Sequence, residues 1–264
     1  MKTGKLRSCT LVVVLVLLVA FTLSACGGAK SSNVLRVGVD DSYPPMEFKD
    51  KDGKTTIGFD VDVAKEVGKR LGKTEVKHIS NDWTGIFEAL ETDKFDVIIS
   101  SVSITDERKE KHSLTNPYIA NKQVIVTKAA NDKIAKPEDL KEVNVGCQQG
   151  TTSEDFCKDE LKLSPDKFKT YPVVTQPFED LNAGRLDAVV VDIVVAKYYL
   201  ANNKDTFKIA WESETAEPMA ICFQKKGSDL RDKTNKILEE MQADGTMKQI
   251  SEKWFGEDMT KNLK

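Results

Sequence analysis

Strand-like and helix-like stretches alternate twice along this sequence, and that double alternation limits its possible folds more than any other feature. The first series opens with VLRVGVD (34–40), apolar and polar in turn as a half-buried strand requires. Tyr43 to Pro45 breaks it, and a charged turn follows, with Asp52-Gly53 at the tip of a predicted hairpin. FDVDVAKEVGKRLG (59–72) then puts Val61, Ala64, Val67 and Leu71 on one helical face, with Asp60 as N-cap and Gly72 as C-cap. EVKHI reads as a strand. DWTGIFEALETDKFD reads as a helix entered at Asp82 with Ile86, Phe87 and Leu90 inward, and VIIS as the next strand. Strands separated by helices predict βαβ units and a largely parallel sheet.

From Tyr118 the chain runs extended to Lys128, and the alternation restarts. PEDL (137–140) predicts a short helix, VNVGC (143–147) a strand, TSEDFCKDEL (152–161) a helix, and FEDLNAG a short helix closed by Gly184. LDAVVVD (186–192) is a strand and IVVAKYYLANN (193–203) a helix; a strand end at Lys208 to Trp211 and an extended EPMAICF (217–223) follow. Two amphipathic helices, SDLRDKTNKILEEMQADG and TMKQISEKWFG, close the chain. Two α/β blocks joined by extended stretches near Asn121 and Pro218 predict two lobes with a cleft between them. The expected division is 34–121 for the first lobe, 122–217 for the second and 218–264 for completion of the first.

The first residues read as an address. Lys2, Lys5 and Arg7 precede an apolar run over 11–23, and LSAC follows. A charged start, a short apolar segment and small residues at the cut describe a secretory signal over 1–25. LSAC resembles the bacterial lipobox, which implies diacylation of Cys26 and an extracytoplasmic protein lipid-anchored to the cell membrane, with 26–33 as a flexible tether. What remains is long enough for two lobes. A net charge of −3, with both signs interspersed, argues against a nucleic-acid partner. Cys147, Cys157 and Cys222 remain after Cys9 and Cys26; buried free thiols are the simpler reading, and a Cys147–Cys157 bridge stays open. The two histidines, His78 and His112, show no metal-site pattern, and no metal or cofactor is expected.

ISSVSITDERK (99–109) ends a buried-looking strand in three serines, a threonine and an arginine. Ligands of open α/β sheets gather at carboxyl ends of strands. Arginine grips a carboxylate through two parallel hydrogen bonds, and Asp192, closing an apolar strand, offers an acid for a cationic group. In order, SYPPMEF, GFDVDVAKEVGKRLG, FDVIISSVSITDERK, NPY, GCQQGTTSEDF, LNAGRLDAVVVD and MQADGTMKQISEKWFG resemble the extracytoplasmic solute-binding proteins of polar amino-acid ABC transporters, bacterial family 3.

That resemblance implies a two-lobed α/β fold of the type II periplasmic-binding-protein kind, with a hinge of two crossing segments. It implies that Arg108 takes the ligand's α-carboxylate with the amides of Ser103 and Thr152. It gives the α-ammonium to Asp192, the Ser101 carbonyl and the Ser103 hydroxyl. Tyr43 and Trp83 would sandwich the side chain, and Asp40 and Ser100 would face its distal end. Each has a plainer alternative: Arg108 as a solvated helix residue, Asp192 and Thr152 as caps, Tyr43 and Trp83 as core, Asp40 as part of a turn. Gln148 and Gln149 are assigned to neither cleft nor solvent. Asp40 with aromatic walls favours arginine or lysine, with glutamine, histidine and cystine as alternatives. The expected partner is a membrane permease, and the expected state a monomer. No Gly-x-x-x-x-Gly-Lys-Ser/Thr loop is present for ATP, and no cleft acid stands out as a proton donor. The rival readings are an amino-acid sensor domain and a cyclohexadienyl-dehydratase-like enzyme.

Overall fold

The first sheet is assembled around β1 (Val34–Val39), whose apolar side chains Leu35, Val37 and Val39 are almost fully buried. The computed structural model describes residues 33–261 and 263; the expected leader, Cys26 and nearly all of the tether lie outside the described residues. β1 runs parallel to β5 (Glu75–Ser80) and to β6 (Val97–Ser103). β6 is buried at every position, as a strand covered on both faces must be. Two antiparallel strands, β13 (Met219–Gln224) and β7 (His112–Leu114), finish the order β5-β1-β6-β13-β7.

The second sheet repeats this plan in the order β10-β9-β11-β8-β12. β9 (Val145–Gln148) is parallel to β10 (Phe168–Tyr171) and β11 (Ala188–Asp192), while β8 (Gln123–Lys128) is antiparallel to β11 and β12 (Phe207–Glu212). Each sheet thus joins three parallel strands to an antiparallel strand that has just crossed over: β8 enters the second sheet and β13 returns to the first. The crossing segments pair at Ile119 and Met219, and the Glu217 amide donates to the Asn121 carbonyl at 2.9 Å. Two α/β lobes and a hinge of two crossing segments, expected from the sequence, describe this architecture. Cys147, Cys157 and Cys222 are buried free thiols.

A small antiparallel sheet, β2 (Ser42–Tyr43), β3 (Glu47–Lys49) and β4 (Thr56–Ile57), leads into α1 (Phe59–Arg70). Here the sequence misleads. Asp60 is expected to cap α1, but the cap is Gly58 and Asp60 lies inside the helix. The amides of Phe59 and Asp60 donate instead to the carbonyls of Pro45 and Met46, both at 2.9 Å. Gly58, at φ 144°, permits that approach; a Cβ there would sit 2.0 Å from the Met46 oxygen. With the first helical amides met by backbone, the Asp60 carboxylate is released to turn inward.

Asp82 precedes a single 3₁₀ turn, makes no side-chain cap, and leads to α2 (Ile86–Glu91), where Ile86 and Leu90 are buried and Phe87 only half-buried. α3 (Asp106–Lys111) follows β6. The helix predicted over 152–161 is α4 (Thr152–Asp155) followed by a π turn over Phe156–Glu160, and its cap is Thr151, not Thr152. α5 (Thr175–Asn182) and α6 (Ile193–Asn202) flank β11. Of the last two helices, α7 (Ser228–Ala243) and α8 (Thr246–Phe255), both pack on α1, and α7 also covers β13.

Candidate ligand-binding site

All nine residues singled out in the sequence, Asp40, Tyr43, Trp83, Ser100, Ser101, Ser103, Arg108, Thr152 and Asp192, border one cavity of about 290 Å³. The strands explain the convergence: Asp40 follows β1, the serines end β6, and Asp192 ends β11, so the carboxyl ends of three strands face the same space. Ser101 adopts φ 51°, and the register of β6 against β13 slips beside it. A left-handed non-glycine residue costs about 1–3 kcal/mol; here it accompanies an irregularity in the pairing of β6 with β13 where the serines line the cavity. Glu47, Gln148 and Thr151 complete the wall.

At one end stands Arg108. Thr105 caps its helix, accepting from the Arg108 amide at 3.1 Å, and Nη1 donates to the Ser103 carbonyl at 3.0 Å. The guanidinium lies 5.4 Å from the Trp83 ring centre and 5.3 Å from that of Phe87, within cation–π range. Phe87 in turn stacks on His112. Burial lowers the Arg108 pKa while Glu217 and Asp192 act to raise it; a guanidinium stays protonated regardless. Among the described residues it has no ion-pair partner. Trp83 therefore backs the guanidinium as well as bordering the cavity, a role the expected aromatic sandwich did not include.

Asp192 faces it from the other lobe. Although Asp192 precedes α6, its side chain does not cap that helix. One oxygen accepts from the Tyr43 hydroxyl at 2.5 Å, the other from Asn121 Nδ2 at 2.7 Å and Gln123 Nε2 at 2.8 Å. Burial and then the Glu217 charge push its pKa up, against those three donors. Gln123 also donates to Glu217 at 2.6 Å and approaches the Thr152 hydroxyl at 3.2 Å, so Thr152 is tied to the same network.

The distal end is acidic. Asp40 accepts from the Ser42 hydroxyl at 2.6 Å and from Gln148 Nε2 at 2.7 Å, and burial raises its pKa. The Ser100 hydroxyl accepts from the Asp40 amide at 3.0 Å and donates to Glu47 at 2.6 Å. Behind it the released Asp60 carboxylate accepts from the Ser101 amide at 2.8 Å and the Tyr118 hydroxyl at 2.7 Å. Burial, then the charge of Asp60, pushes the Glu47 pKa well up; burial raises that of Asp60.

The lobes touch directly across this space. Tyr43 reaches Asp192, Gln148 reaches Asp40, and Trp83 Nε1 donates to the Gly150 carbonyl at 2.7 Å.

A model of the bacterial extracellular solute-binding proteins, family 3, matches residues 35–257. Over 233 residues the chain is 35% identical to the L-cystine-binding protein TcyJ of Escherichia coli (strain K12), covering 88% of this chain and 86% of that protein. An ancestral arginine-binding protein bound to glutamine superposes with a TM-score of 0.79 at 42% identity, over 85% of this chain and 99% of that one. The arginine-, lysine-, histidine-binding protein ArtJ from the thermophilic bacterium Geobacillus stearothermophilus superposes with a TM-score of 0.78 at 29% identity, over 85% and 96%. All three are amino-acid-binding proteins.

Proposed function

The chain belongs to the family 3 bacterial extracellular solute-binding proteins, and on that premise we propose that it captures a basic amino acid, arginine or lysine, by hinge closure and delivers it to the permease of an ABC importer. One observation carries the reading: a guanidinium without an ion-pair partner on one lobe faces a buried carboxylate on the other, across a cavity with further acids at its far end. In this reading Arg108 takes the α-carboxylate with the amides of Ser103 and Thr152. Asp192, the Ser101 carbonyl and the Ser103 hydroxyl take the α-ammonium. The side chain lies between Tyr43 and Trp83 and ends at Asp40 and Ser100.

Arg108 and Asp192 sit on opposite lobes, so a zwitterion between them stabilises the closed arrangement by contacts that an open one lacks. The relatives bind cystine, arginine, glutamine, lysine and histidine; Asp40 and Glu47 support a basic ligand, because a cationic side chain compensates acids held in a dry wall. Residues 34–121 and 218–264 form the first lobe in this scheme and 122–217 the second, with Cys26 carrying the lipid anchor.

Calorimetry with a panel of amino acids tests the ligand, arginine or lysine being expected to bind most tightly and to raise the melting temperature by mass action. A panel in which neither binds refutes the choice. Glu47 supplies the protonated cleft acid that the sequence did not reveal, so a prephenate and arogenate turnover assay belongs beside it; no turnover is expected, because Ser100 holds Glu47 back against Asp60. The mass of the mature N-terminus checks acylation at Cys26.

A further inference from the structure

Glu47 and Asp60 are both fully excluded from solvent, and they lie close enough that the charge of Asp60 raises the Glu47 pKa. Two neighbouring carboxylates in a site without water repel each other, which favours a proton on one of them. Asp60 already accepts from Ser101 and Tyr118, whereas Glu47 Oε2 is buried without a hydrogen-bond partner. The proton therefore belongs on Glu47. Both residues lie in one lobe, in β3 and α1, locked together by the close approach at Gly58.

Of the groups facing Glu47, the Ser100 hydroxyl favours its ionised form, and burial and the neighbouring acids outweigh it. α1 presents Asp60, the end of β1 presents Asp40, and β6 presents the Ser100 hydroxyl. Tyr43 and Tyr118 contribute neutral phenols whose own pKa values burial raises. Arg108 alone among the cavity-lining residues is basic, and the charges that act on it are Glu217, Asp192 and Asp155, toward the other end.

We propose that a cationic amino-acid side chain displaces the proton held on Glu47, so that arginine or lysine binds with release of a proton that a neutral isostere leaves in place. This rests on the basic-amino-acid reading above. A guanidinium or ammonium group beside Asp40 and Glu47 favours the ionised acid; the proton leaves to solvent as the cation arrives, and the charge enclosed by the cleft is unchanged. Burying a net charge is thereby avoided, and the same wall stays neutral at Glu47 against an uncharged side chain.

Titration calorimetry of the whole chain with L-arginine and with its neutral isostere L-citrulline, each in phosphate and in Tris at one pH, counts the protons released. The expected result is about one more proton for arginine than for citrulline, with arginine affinity gaining up to about tenfold per pH unit over citrulline from about pH 5 to 7. Glu47→Gln is expected to lose both the buffer dependence and the pH trend. Equal proton counts for the two ligands, or a Glu47→Gln protein that keeps the wild-type count, overturn the exchange while leaving basic-amino-acid binding standing. Failure of arginine and lysine to bind at all overturns the functional reading with it. Should Glu47→Gln fail to fold, the wild-type difference between arginine and citrulline decides alone; should citrulline not bind, the arginine count in the two proteins decides.

Discussion

The two ends of the cavity are built on opposite electrostatic plans. At the Arg108 end a cation rests on Trp83 and Phe87 and gives a hydrogen bond to one carbonyl, without a carboxylate partner among the described residues. At the Glu47 end, Asp40, Glu47 and Asp60 are drawn together by serine and tyrosine hydroxyls and backbone amides. A protein concerned only with stability would pair these unlike charges with each other. Holding them apart on two sides of one space leaves each end electrically incomplete, in the sense that a dipolar ligand completes. The acids manage their crowding by retaining a proton; the arginine, which cannot shed its charge, relies on aromatic faces.

The sharpest way to break this contrast is Arg108→Met, which removes the cation and keeps an apolar stem against Trp83. Affinity for amino acids in calorimetry is expected to fall by about 2–5 kcal/mol, and retained affinity would show that the cation does not receive the carboxylate. Asp192→Asn keeps the shape and loses the charge; a loss of about 2–3 kcal/mol is expected on the same assay.

The acidic end is sharpened by stability rather than binding. A carboxyl whose folded pKa is raised holds a proton that the unfolded chain has already lost. Stability therefore falls as pH rises from about 4, the unfolded value, toward the raised folded value. The contribution is at most about 1.4 kcal/mol per pH unit. Urea unfolding at pH 5, 6 and 7 should show a shallower decline in Glu47→Gln than in the wild type; parallel lines would mean that Glu47 is ionised in the fold. The smallest effect is expected from Trp83→Phe, which keeps a ring over Arg108 but removes the hydrogen bond to Gly150 across the cleft. About 1 kcal/mol of affinity should go, read chiefly as faster dissociation in stopped-flow fluorescence.

Why one end was legible in the sequence and the other was not follows from how each is made. Arg108, Ser100, Ser101 and Ser103 lie within one short stretch at the end of a strand, and Asp192 ends an apolar run, so local patterning and family resemblance suffice to find them. The alternation of strands and helices likewise shows two α/β blocks, because each βαβ unit is local. Glu47 reads as an ordinary residue of a short hairpin strand, and Asp60 as a helix cap. Their meeting depends on a non-local backbone contact at Gly58, which supplies the capping carbonyls and dismisses Asp60 from the role its position suggests. Gln148 and Gln149 are indistinguishable as neighbours in sequence; Gln148 is the buried last residue of β9, and Gln149 is exposed in the turn beyond it. The broken helix after Thr152 left no mark in TSEDFCKDEL, since a π turn differs from an α turn by one extra residue per hydrogen-bonded ring.

Asp192 hangs from the chain's first crossing through Asn121 and Gln123, and Glu217 in the second crossing grips the same Gln123 amide. The carboxylate proposed to hold the cargo and the two crossings between the lobes are therefore one piece. In the proposed capture, whatever seizes that carboxylate also pulls on both crossings. On that proposal a permease senses the filled cleft through the two lobes without touching what is carried.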